Sequence, residues 1–198
     1  MSALANAFHD VGNHEERLRL HEAELAWEQR PENGVSQTDI LITLGNITGC
    51  LSELGRYKES LDMGREIYDR KRALSEWLPP DSIFITVQGL TNQMCGLGLF
   101  DECKEFARER IPEAERALGP ENALTLCIRN SYAVALLNSS NATLDDMRLG
   151  VETLEGSLKT TRRVMGTSHP RTSECEGFLE HARTTLAAEE ARTGLAAL

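Results

Sequence analysis

The residues best suited to chemistry are few and scattered. His14 and His21 lie seven apart, with Glu15, Glu22 and Glu24 around them. Imidazoles and carboxylates can bind zinc, but the His-x-x-x-His and Cys-x-x-Cys spacings of zinc sites are absent. A solvated acidic helix face is the expectation there, with no metal. The five cysteines (Cys50, Cys95, Cys103, Cys127, Cys175) are odd in number and contain no Cys-x-x-Cys pair. They are expected as small packing residues in a reducing compartment. Cys95 and Cys103 flank a glycine turn at helical ends, where a thiol could react, but packing is again the expected role. Leu97-Gly98-Leu99-Phe100 lacks the GxxxxGK[ST] pattern of a phosphate loop. No nucleophile elbow is present. The acidic pairs Glu15-Glu16, Asp145-Asp146 and Glu189-Glu190 fall at positions expected to face solvent. No catalytic constellation emerges, so neither an enzyme nor a cofactor is expected.

Composition narrows the classes further. Of 198 residues, 40% are hydrophobic and only 5% aromatic, which suits an aliphatic core between packed helices and excludes a disordered chain. A net charge of −10 opposes binding to nucleic acid phosphates and to anionic membrane surfaces. It favours neutral or basic partners. No apolar run of about 18 residues exists to span a bilayer. Met1–Val11 has neither the basic start nor the apolar stretch of a secretory signal, so the cytoplasm is the expected location.

Helical periodicity then supplies the elements. A short helix is expected at Met1–Val11 and a second helix at His14–Gln29. Ser36–Leu54 carries Ile40, Leu44, Ile47, Leu51 and Leu54 at steps of three and four. Tyr57–Trp77 follows, ended by Pro79-Pro80, after which Asp81 or Ser82 can cap a helix running to Leu97. Phe100–Leu118 contains Pro112, which predicts a kink or break near Arg108–Ile111. Glu121–Asn138, Leu144–Met165 and Arg171–Arg192 complete about nine helices, with no strand.

These elements repeat. Gly12, Gly55 and Gly98 are spaced by 43 residues. Relative to each glycine, His14, Tyr57 and Phe100 stand two residues later. Val11, Leu54 and Leu97 stand one before. Ala5, Thr48 and Thr91, all small, stand seven before. Five after come Ser60 and Cys103, small in two copies. Small residues on two antiparallel helices allow close approach, while larger ones fill the grooves. A second marker places Thr125 and Thr172 six residues after Gly119 and Gly166. In the fourth copy the turn glycine is replaced by Asp145, and the polar Ser139–Asp145 stretch adds four residues. One hairpin cannot bury both its faces, whereas stacked copies can.

The segments Leu54-Gly55-Arg56-Tyr57-Lys58-Glu59-Ser60, Leu118-Gly119-Pro120-Glu121 and Gly166-Thr167-Ser168-His169-Pro170-Arg171-Thr172 resemble the tetratricopeptide (TPR) repeats of kinesin light chains. HEAT and armadillo repeats have similar periods, but one glycine per helix pair and the Gly-Pro and His-Pro linkers favour TPR. The resemblance implies an all-α, right-handed superhelical α-solenoid of antiparallel helix pairs. Its array would span 1–192, with repeats near 1–33, 34–78, 79–119 and 120–166, a capping helix over 169–192 and a frayed tail at 193–198.

It also implies a function. In such repeats the first helix of each pair lines a groove, and asparagines there bind the backbone of an extended peptide, since a carboxamide both donates and accepts. Asn46 and Asn130 match that asparagine, while the third hairpin has Gly89, with Gln88 before it and Asn92 after. Thr43, Gln93 and Arg129 are neighbours. The expected activity is non-catalytic: a scaffold that binds a peptide or protein segment. The alternatives are a structural subunit, including a homo-oligomer, or a repeat fragment of a larger protein such as an ATPase sensor.

Overall fold

A computed structural model describes residues 13–194. The first expected helix, with Gly12, lies outside them. The described residues form eight α-helices and one short 3-10 turn, with no strand. They group into two compact units that divide between Gln93 and Met94.

In the first unit, α1 (His14–Glu28), α2 (Gln37–Glu53) and α3 (Tyr57–Ala73) pack in sequence, followed by α4 (Pro80–Gly96), most of which belongs here. Asn13 caps α1 by accepting from the Glu16 N–H, and Ser36 caps α2 by accepting from the Asp39 N–H at 3.2 Å. Leu41, Leu44, Ile47 and Leu51 point one face of α2 into the core, where they meet Leu18 of α1 and Ile67 of α3.

The turn after α2 follows from Gly55. At φ +72° it occupies the left-handed region that a side chain disfavours. The Arg56 N–H then donates to the Leu51 carbonyl at 2.8 Å, and the Gly55 N–H to that of Ser52 at 3.0 Å. This pair of bonds closes the helix end in the Schellman pattern. The second unit repeats it: Gly98 has φ +70°, and the Leu99 and Gly98 N–H groups donate to Met94 and Cys95. Beyond the first turn, Ser60 reaches back to donate to the Thr48 carbonyl at 2.7 Å. The two small positions inferred from the repeat therefore meet.

The second unit comprises α5 (Phe100–Leu118), α6 (Ala123–Asn138), α7 (Leu144–Met165) and α8 (Pro170–Thr193). Its core joins Ala133 and Leu137 to Leu154 and Leu158 and to Cys175, Leu179 and Ala182. The Gly-to-Thr marker is a brace. The Thr125 hydroxyl donates to the Gly119 carbonyl at 2.9 Å, and that of Thr172 to Gly166 at 2.7 Å, both threonines being buried. Where the fourth glycine is missing, Asp145 lies within α7, which starts instead from a Thr143–Asp146 capping box.

Four expectations need correction. No break occurs at Pro112: α5 continues through it, because Pro112 and Arg108 are both exposed and water can serve the carbonyl left without its donor. α3 ends at Ala73 and not Trp77, since the chain turns through 74–77. α4 begins at Pro80, so Asp81 and Ser82 sit in its first turn; proline needs no donor there. His21 is not on a solvated face: it is 2% exposed and hydrogen-bonded to Glu24 at 3.2 Å. No helix among the described residues is long and apolar enough to cross a membrane.

Candidate functional site

A cleft of about 560 Å³ opens in the first unit. Its walls come from α2 and α4, its floor from α3, and one end from the Trp77-Leu78-Pro79 connection. Most of its lining is apolar. Ile42 on α2 and Ile85 on α4 stand at the same repeat position, 43 residues apart, and are 59% and 53% exposed. Trp77 at the rim is 80% exposed. Next to the isoleucines, Gly45 and Gly89 leave backbone uncovered: a side chain at Gly45 would meet nothing within 4 Å, and at Gly89 only the Gln93 amide.

The polar groups are few. Lys71 lines the cleft, and its ammonium donates to the Ser82 carbonyl at 2.9 Å and to the Thr86 hydroxyl at 3.1 Å. These two bonds use two of the ammonium's three donors. Burial holds the Lys71 pKa below the ordinary lysine value, an effect that Asp81 partly offsets. Gln93 is buried. Its amide NH₂ donates to Ser60 at 2.6 Å and to Ser52 at 3.2 Å, while its Oε1 has no partner. The assignment of the two ends follows from Ser60, whose proton goes to the Thr48 carbonyl and whose oxygen must therefore accept. The cleft thus combines apolar walls with two polar side chains, Lys71 and Gln93, that are already engaged at its base. Among the described residues that line it, Lys71 and Asp81 are the titratable ones.

Of the seven groove candidates, Asn46 and Gln93 line this cleft. Asn46 is exposed, whereas Gln93 is engaged as described. Thr43 is buried and donates to Glu28 of α1 at 3.0 Å. Gln88 is half-buried and Asn92 exposed, and neither lines the cleft. Arg129 and Asn130 belong to the second unit. Arg129 pairs with Glu115 of α5, and the Asn130 side chain hydrogen-bonds the Cys175 thiol. Ile42, Ile85, Trp77 and Lys71 were not among the candidates. The 43-residue spacing of the two isoleucines was the available signal.

No family model and no curated sequence matches the chain. Solved structures do. The Podosopora anserina kinesin light chain-type protein with nearly identical TPR-like repeats has a TM-score of 0.68 at 15% identity, over 98% of this chain and 88% of its own. A variant of it reaches 0.70 at 16% over the same shares. The fold is the TPR-like repeat fold of the kinesin light chain type. BtubC (BKLC) from P. vanneervenii is also similar, at a TM-score of 0.61 and 13% identity, over 89% of this chain and 73% of that one.

Proposed function

We propose that this chain is a non-catalytic interaction module whose first unit takes an extended peptide or protein segment across α2 and α4. The observation carrying this reading is the cleft with two register-matched, half-exposed isoleucines. Exposed apolar side chains grouped around a concavity mark interaction sites. Covering the half of each isoleucine that is still exposed would contribute about 1–1.5 kcal/mol, half the value for a whole side chain. A large apolar side chain of the partner fits between Ile42 and Ile85. Partner backbone can approach over Gly45 and Gly89, where the exposed Asn46 carboxamide can pair with a peptide unit. The net charge of −10 steers neutral or basic partners toward the chain.

The test is a peptide-display selection on the wild-type chain, followed by binding of the enriched peptides to an Ile42→Glu/Ile85→Glu variant. Both residues are largely exposed, so the variant should keep its helicity and thermal midpoint. The enriched peptides should share a large apolar residue and lose at least about tenfold in affinity, the equivalent of 1.4 kcal/mol. Enriched peptides that bind both proteins equally would refute the assignment.

A further inference from the structure

Cys95, near the end of α4, and Cys103, early in α5, place their sulfurs 3.5 Å apart across the Gly98 turn. Both thiols also approach the Ser131 carbonyl, at 3.8 and 3.9 Å. The same two repeat positions around Gly55 hold Ser52 and Ser60, with oxygens 2.9 Å apart. The juxtaposition therefore belongs to the repeat geometry: three residues before and five after each turn glycine, the two helices are close enough for side chains to touch. In one copy the touching atoms are hydroxyls, which can only hydrogen-bond. In the next they are thiols. The other three cysteines have partners that are not sulfur. Cys50 accepts from Arg17 at 3.1 Å, Cys127 from Arg171 at 2.7 Å, and Cys175 donates to the Leu154 carbonyl at 3.8 Å.

We propose that Cys95 and Cys103 are a redox modification site, closing to an intramolecular disulfide across the Gly98 turn when a low-molecular-weight disulfide is the oxidant. The two thiols are unequal in a way that orders the steps. Cys95 is partly exposed and Cys103 is fully buried. The hydrogen bond from Cys103 pulls the Cys95 pKa below the ordinary thiol value, while the same contact and burial push Cys103 up. Cys95 is therefore the attacking thiolate. It displaces one thiol from the small disulfide and becomes a mixed disulfide. The Cys103 sulfur then attacks the Cys95 sulfur and expels the second small thiol, which leaves with the Cys103 proton. Overall the dithiol loses two electrons and two protons, and the small disulfide is reduced to two thiols. The sulfurs have only to close from contact to the bonded length of about 2.05 Å. The product ties residues 95 and 103 across the turn and reverts with excess reductant.

The test uses the full, reduced chain treated with oxidised glutathione, acid-quenched, alkylated and mapped by mass spectrometry. Cleavage before Asp101 puts the two cysteines on separate peptides, which a disulfide holds together until reduction. The expected product is the Cys95–Cys103 link within one chain, with Cys50 and Cys175 alkylated only after denaturation. In Cys103→Ser, which copies Ser60 of the preceding repeat, Cys95 should accumulate as the glutathione mixed disulfide severalfold above wild type. Three results would overturn the proposal: equal glutathionylation of Cys95 in both proteins, modification confined to Cys127, or links only between chains. The wild-type map decides the matter even if the variant folds poorly.

Discussion

Gly150 and Gly156 are both interior to α7, yet the same substitution should move stability in opposite directions. Each glycine replaced by alanine gains about 0.8–1.0 kcal/mol of helix propensity. At Gly156 the added methyl meets nothing within 4 Å, so that gain is expected whole. At Gly150 the methyl would lie 3.1 Å from the Ala133 carbonyl oxygen and 3.2 Å from Leu137 Cγ. The first of these neighbours is backbone of α6, so the methyl fits only if the two helices part by a few tenths of an ångström. Overpacking of this kind costs about 1–3 kcal/mol, which equals or exceeds the propensity gain. Gly150→Ala should therefore be neutral to about 2 kcal/mol destabilising, combining the two terms. The two variants should differ by about 1–3 kcal/mol, and each kcal/mol moves the midpoint by about 2–4 °C in a chain of this size. Thermal and urea unfolding of the pair, followed by far-UV circular dichroism, measure the difference. If both variants gain stability alike, the close approach at Gly150 is not the constraint described.

Two further outcomes follow from the turn and the buried lysine. Gly55→Ala should lose about 1–2 kcal/mol from left-handed backbone alone, because its methyl would meet nothing within 4 Å; a urea midpoint equal to wild type would show that the turn relaxes at no cost. Lys71 holds a folded pKa below 10.5, so across the window between that value and 10.5 the unfolded chain binds more protons than the folded one. The charge penalty present below the window is relieved as pH rises through it, so wild type should gain stability relative to Lys71→Met as pH rises toward the ordinary lysine value of about 10.4. A constant or falling difference in urea unfolding would contradict that sign.

What could be read from the sequence was whatever depends on one residue and its spacing. The glycines at 55 and 98 mark left-handed turns because few other residues adopt them, and both have positive φ. Thr125 and Thr172 were visible as a recurrence, although the hydroxyl-to-carbonyl brace behind it was not. Spacing fails where the outcome depends on a partner distant in sequence. Thr43 looks like a groove residue until Glu28 takes its hydroxyl. Gln93 looks available until Ser52 and Ser60 are seen to accept from it. His21 carries glutamates on either side and still packs inside α1's buried face. Ile42 escaped notice because a single apolar residue off the buried stripe is ordinary on a protein surface. Only its match with Ile85, on the facing wall of a cleft, makes it informative.

The threonine braces bear on how the chain begins to fold. A helix is slow to start because its first turn fixes several residues in return for a single hydrogen bond. Each Gly-to-Thr linker closes a loop of six residues and ends inside the first turn of the following helix, with Asn122 or His169 already accepting from an N–H of that turn. Nucleation of α6 and α8 is thereby encoded locally, before any packing partner arrives. Mutating Thr125 or Thr172 would on this view slow the folding rate as well as speed unfolding, and the linkers would set the residue at which each helix starts.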